Sequence, residues 1–517
     1  MAEKVAKIGE AASPRMRRRR RRGKHVARST APPRLQAGVA KRPITPPVGG
    51  PLLGIPERDL AGGSRGVHDE LYARALVLDN GSVCVALVTL DLFAVPCELS
   101  EEIAHRVSRK TGIPQDNVVL AASHTYSGPS VTKTLAGSDP DGDWLAVLIA
   151  EVTNAVRAAY ASKRPARAGV SAVPCPITLK RRLRAPEIGT QVSGGNAPAE
   201  SAIPEPIESD LGILRLTALD GKTIAILVNF ACQPFSVGRE GGFLFSADFP
   251  GVFAARVESA FPDCIALFTN GAAADVVHRL RSNDGGEASA GYRNAMLLGE
   301  LLAEETIRVA GTIRARQRLS LGVAKKRIAV PLDVKKAPSV GRKPAKRAFE
   351  AVSKSEKQLL AGDQPPDGLL DEAATQYIAE SRWMPAMEDS LRRGKSPRQV
   401  ETVVCAVSIG TLGMVSAPGE LYSRSGSEVK RRSPFKHTFV LGYAGDYLGF
   451  LAPRDVFEQG GWEVDEAHKF LPGPGLPLVA GTVEDTLTDH MVGLLKMLAS
   501  RGSRTRAGAS RQRRSNT

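Results

Sequence analysis

Short unbroken apolar runs alternate along this chain with longer stretches whose apolar positions recur at helical spacing. Val83–Leu92 is almost wholly apolar until Asp91, and Asn117–Ser123 is a second such run; both have the length of buried strands. Ser100-Glu101-Glu102 is an N-cap signal for a helix reaching Lys110, and Asp143–Ser162 reads as a longer amphipathic helix. Ala37–Pro47 predicts an earlier strand entering the Pro- and Gly-rich loop Thr45–Gly54. Strand and helix alternating in this way predict an α/β protein.

From Leu211 the pattern changes to paired strands. Leu211–Leu219 and Thr223–Ala231 flank Asp220-Gly221, a hairpin signal. Pro250–Phe261 predicts a helix, Cys264–Thr269 a buried strand and Ala288–Ala310 a long helix, followed by strands at Leu319–Val323 and Arg327–Leu332. Residues 334–400 are Lys-rich and helix-prone around Pro365-Pro366, and read as a helical surface insertion. Val403–Ser416, His437–Tyr443 and a helix over Thr482–Leu498 complete the pattern, with no internal repeat. The expectation is one large α/β domain over 37–500, a mixed sheet flanked by helices.

Composition supports a sizeable core, with 42% hydrophobic and 24% charged residues among 517. No apolar run approaches the ~18–20 residues of a membrane-spanning helix. The net charge of +16 is unevenly placed: residues 1–28 carry +9, including the run Arg17–Arg22, and residues 501–517 carry +6. The body is therefore near neutral. Residues 1–36 and 501–517 are expected to be disordered basic tails, solvated or attracted to an anionic surface. No specific nucleic-acid partner is expected. The first 30 residues lack the apolar stretch of a secretory signal, so cytoplasmic residence is the expectation. Cys84, Cys97, Cys175, Cys232, Cys264 and Cys405 show no CxxC spacing and read as buried thiols.

Candidate chemistry concentrates in segments spread over most of the chain. In order they are AGVAKRPITPPVGGPLLG (37–54), GVHDELYARALVL (66–78), VALVTLDLF (85–93), AASHTYSGP (121–129), VNFACQPFSVG (228–238), FSADFPG (245–251), FTNGAAADVVH (268–278), APGELYSRSG (417–426), LGYAGDYLGF (441–450) and GGWEVDEA (460–467). Together they resemble the catalytic domain of the neutral/alkaline ceramidases, zinc-dependent amide hydrolases, over roughly 37–500. That family often adds a C-terminal immunoglobulin-like domain; here a single catalytic domain without one is the expectation. The resemblance also implies a lipid-like or small-molecule amide substrate and, for a ceramide, peripheral contact with a membrane.

Carried over position by position, the resemblance implies zinc ligands at His124 and Glu420. Gln233 falls where the family has its second ligand His, and the Tyr ligand falls on Phe450, with Tyr447 a short stretch before it. Tyr126 replaces the second His of the HTHSGP loop, Val277 the serine of GDVSP and His278 its proline, while Asp275 is retained. Tyr126 and Asp275 are the residues expected to orient substrate; His68, Ser127, Gly128, His278 and Phe450 are expected to line the pocket. Other readings stand beside these: Glu420 as an acid at a helix start, Asp248 as an N-cap and His68 as a loop anchor. A neutral Gln is a weaker zinc ligand than imidazole, and Phe offers no ligand atom. Three functions fit these residues: a zinc-dependent hydrolase of a linear N-acyl bond, an inactive relative that binds a lipid-like amide, and an interaction protein using its basic tails.

Overall fold

The computed structural model describes residues 34–59, 62–134, 139–180, 182–185, 189–192, 207, 209–237, 242–278, 288–336, 372–392, 398–473 and 475–514. The leader up to residue 33 and most of the 334–400 insertion lie outside them.

Eight strands form the larger sheet: β1 (Gln36–Pro43), β2 (Tyr72–Asp79), β3 (Cys84–Leu90), β4 (Val118–Ala122), β5 (Arg164–Pro174), β6 (Asp210–Ala218), β7 (Thr223–Phe230) and β8 (Ile265–Asn270). Their order is β8-β7-β6-β5-β1-β2-β3-β4, antiparallel except for β3–β4 and β7–β8, the parallel pair at each edge. A second sheet holds β9 (Leu321–Pro331), β10 (Gln399–Ile409), β11 (Leu412–Ser416) and β12 (His437–Leu441), with β11–β12 parallel. The main helices are α1 (Cys97–Thr111), α2 (Gly142–Ala161), α3 (Asp248–Ala260), α4 (Ala288–Ala310), α5 (Glu372–Arg392), α6 (Ser423–Arg432) and α7 (Thr488–Arg514).

The apolar runs are continuous because the larger sheet is buried on both faces. Ala73, Ala75 and Val77 of β2, with Ala86, Val88 and Leu90 of β3, pack on Val107, Trp144, Leu148 and Val152 of α1 and α2. Their alternates Leu76, Leu78, Val85 and Leu87 meet Val407, Leu412, Met414 and Phe439 of the second sheet. Helices α3 and α4 cover β6–β8, and α7 covers the outer face of the second sheet. The result is one mixed α/β domain layered helix, sheet, sheet, helix. Close approach of the sheets needs Gly212, where a Cβ would lie 2.3 Å from the Phe439 ring.

Several local expectations are corrected. Helix α1 begins three residues before Ser100, because the remote Asp446 carboxylate accepts from Cys97 N at 2.9 Å and caps it in place of a local side chain. The two short strands expected over Leu319–Leu332 are one strand, β9, paired continuously with β10 through Lys325-Lys326. That strand lies at a sheet edge, where charged side chains are tolerated. Val403–Ser416 divides at Gly410 (φ 60°) into β10 and β11. Helix α7 is drawn to Arg514. Glu372–Arg392 of the 334–400 segment is helical. All six cysteines are free thiols, four of them buried and Cys84 and Cys97 half-buried. Among the described residues no helix is long and apolar enough to cross a membrane.

Candidate active site

The parallel strand pairs of the two large sheets end at one place, and the loops leaving their carboxyl ends build the site, the usual position for ligands in open α/β sheets. The segment after β12 joins the two edges of the larger sheet. Gly442 N donates to Asn270 O of β8, Ala122 N of β4 donates to Tyr443 O, and Gly445 N donates to Leu120 O. Only glycine fits at 442, where a Cβ would lie 2.3 Å from Gly271 O. Asn270 completes the seam: its Nδ2 donates to Ser123 O and Cys232 O, and its Oδ1 accepts from Cys232 N. Sequence reasoning passed over Asn270; its one signal was a polar residue closing an apolar strand.

At the centre stands Glu420, fully buried. Its Oε1 accepts from Tyr447 Oη at 2.7 Å, and its Oε2 accepts from Gln233 Nε2 at 3.2 Å. His124 Nε2 lies 3.5 Å from the same Oε2. The His124 Nδ1 is 2.8 Å from Phe93 O, which can only accept, so Nδ1 carries the proton. Nε2 has no hydrogen-bond partner and faces the carboxylate oxygen. Burial, then the Glu420 charge, pushes the Tyr447 phenol well above its ordinary range, which keeps it a donor.

Aromatic rings hold this arrangement. His124 stacks on Tyr443 with centroids 3.8 Å apart and packs against Phe93 at 4.2 Å and Tyr126 at 5.0 Å. His124 (φ 70°) and Tyr443 (φ 55°) both adopt left-handed backbone, which costs on the order of 1–3 kcal/mol each and clusters at functional sites. Tyr126 is half-buried, its ring edge-on to Phe235 at 4.8 Å and its carbonyl accepting from the buried Arg58 at 2.6 Å. Tyr443, Phe93 and Arg58 were not singled out from the sequence.

No family model matches the chain. Among solved structures, the neutral ceramidase from Pseudomonas aeruginosa superposes with TM-score 0.66 at 15% identity, covering 91% of this chain and 75% of its own. A second, a ceramidase complexed with C2, gives TM-score 0.64 at 17% identity over 91% and 76%. The fold is that of the neutral ceramidases.

Within this ceramidase fold, His124, Glu420, Gln233 and Tyr447 converge. Tyr447 is the phenol that reaches Glu420, whereas Phe450 pairs with Glu420 through backbone and packs its ring edge-on against Trp462 at 5.9 Å. Asp275 is occupied elsewhere: its oxygens accept from Ser423 N at 2.7 Å and Ser423 Oγ at 2.9 Å, anchoring the start of α6. Burial pushes its carboxyl up. Val277 and His278 lie on the short strand Val276–His278, paired with Thr178–Lys180. Among the described residues no three His, Cys, Asp or Glu share a potential metal position, so His278 does not join His124 and Glu420. Ser127 is buried, and Gly128 pairs with Leu53.

His68 lies outside the cluster, half exposed, stacked on Tyr292 at 3.8 Å and paired with Asp69 at 2.7 Å. Asp69 also accepts from Ser246 Oγ and Ala247 N. Asp248 accepts from Ser236 N and Phe249 N, so it binds the 233–237 loop to the start of α3; burial raises its carboxyl to about 6.

Two ligands of one tetrahedral zinc with bonds of about 2.0–2.1 Å stand roughly 3.3 Å apart, and the His124 Nε2–Glu420 Oε2 separation is 3.5 Å. The spacing of Nε2 and the carboxylate oxygen is therefore that of two ligands of one ion. Tyr447 Oη adds a neutral oxygen, and Gln233 turns its NH2 inward.

Proposed function

We propose that the chain hydrolyses a linear N-acyl amide, with His124 and Glu420 as the centre of the reaction. The observation that supports this is the buried His124 Nε2, without a hydrogen-bond partner and aimed at a carboxylate oxygen 3.5 Å away. A buried carboxylate oxygen facing a ring nitrogen out of water calls for a positive group between them, a proton or a metal cation. Strain retained at both His124 and Tyr443 supports a site kept for use.

His124 and Glu420 would hold zinc, with Tyr447 beside them. When bound, zinc supplies a water acidified towards neutral pH and polarisation of an amide carbonyl. Phe93 O keeps His124 in the tautomer that presents Nε2 inward. Tyr447 and Gln233 store the Glu420 charge out of water. Tyr126 and Phe235 form a half-buried aromatic pair, suited to packing against an acyl chain.

A second reading is favoured by Val277, which offers no donor where the resemblance implies a serine: the chain then binds an N-acyl amide without cleaving it. Loss of one oxyanion donor costs on the order of a hundred- to a thousand-fold in rate. The test is fatty-acid release from a panel of N-acyl amides by zinc-loaded protein beside Glu420→Ala. Release that disappears in Glu420→Ala supports hydrolysis. Saturable binding of the same amides without release selects the second reading.

A further inference from the structure

We infer that Gln233 is a latch on Glu420, holding the centre closed in the cation-free protein and turning away when a divalent cation enters. The inference rests on the His124–Glu420 centre proposed above and concerns how that centre fills.

The orientation of the carboxamide is decided by its neighbours. Gln233 Nε2 lies 3.2 Å from Glu420 Oε2 and 3.3 Å from Ala274 O. Both neighbours only accept, so the NH2 must face them; the flipped rotamer would set three oxygens against one another. The backbone is held as well, Gln233 N donating to Val276 O and Phe235 N donating to Gln233 O. The side chain is buried, so water is poorly placed to replace it.

The Glu420 charge is thus stabilised by dipoles: Tyr447 Oη on Oε1 and the Gln233 amide on Oε2. A cation between Oε2 and His124 Nε2 would meet the positive end of the Gln233 amide. Entry therefore requires the carboxamide to rotate, surrender its bonds to Glu420 and Ala274 O, and present Oε1. The cation competes with an internal hydrogen bond as well as with water, and loading is weaker and more reversible than an imidazole at 233 would allow. Histidine there offers a lone pair in one tautomer and has no NH2 to withdraw.

The test is zinc titration of the chelator-stripped full chain, read by competition with a chromophoric chelator, for wild type, Gln233→His and Gln233→Glu, with Glu420→Ala as background. The latch predicts zinc binding at least about tenfold tighter in Gln233→His than in wild type, a change of the size metal-site substitutions produce. It also predicts that stripped Gln233→Glu melts below stripped wild type and is raised more by zinc, because a carboxylate cannot donate to Glu420. Wild type binding zinc as tightly as Gln233→His would overturn the latch, as would a stripped Gln233→Glu that melts no lower than stripped wild type. Tight zinc binding by Gln233→His together with no fatty-acid release by zinc-loaded wild type would sink the hydrolase reading and leave the latch standing.

Discussion

Tyr447→Phe removes one hydroxyl and leaves the ring. The ring is nearly fully buried, with Phe93 at 5.6 Å and His124 at 6.1 Å, and these contacts survive the substitution. What is lost is the 2.7 Å hydrogen bond to Glu420 Oε1. A hydrogen bond to a charged group contributes about 1.5–3 kcal/mol, and the oxygen left behind cannot recover it from water in a buried site. The expected loss of unfolding free energy in the cation-free protein is therefore about 2 kcal/mol. Urea unfolding followed by fluorescence and circular dichroism measures it, with coincidence of the two probes as the check on two-state behaviour. A double-mutant cycle with Glu420→Gln should return a coupling of at least about 1 kcal/mol between the two positions. A loss under about 0.5 kcal/mol, the range of neutral surface changes, would show that Tyr447 does not serve Glu420 in solution.

Two further expectations follow from the same packing. Asp248 carries a carboxyl raised from 3.8 to about 6 by burial, so the folded state favours its protonated form: its contribution is fully present below pH 3.8 and falls by about 3 kcal/mol as pH rises to 6; Asp248→Asn should flatten that part of a stability profile, and an unaltered profile would refute the assignment. Gly212→Ala places a methyl 2.3 Å from the Phe439 ring and should cost about 1–3 kcal/mol in thermal unfolding, recovered in part by Phe439→Leu; no recovery would show that the sheets do not meet there.

Legibility varied with how local the cause was. The β6–β7 hairpin around Asp220-Gly221 and the helix Ala288–Ala310 appear where the pattern put them, because turn chemistry and apolar period act within a few residues. The start of α1 was misread because its cap is Asp446, far along the chain. In the candidate site, His124 and Glu420, which the fold brings within 3.5 Å, each lie in a motif segment. Tyr443, Asn270 and Phe93 were not singled out, since nothing local marks a ring as a stacking partner or an amide as a seam between strand ends.

The sequence by itself determined the fold class, the strands buried on both faces and the segments that bring chemistry. Periodicity records how each residue is solvated within its own element, and that information is local. Only the tertiary structure decided that the Tyr447 hydroxyl reaches Glu420, that the Asp275 carboxylate is consumed by Ser423, and that the Gln233 amide faces Glu420. Each of these depends on loops from different strands meeting at one seam. Their relative positions follow from register and sheet curvature, and a period along one chain segment does not encode where another segment arrives.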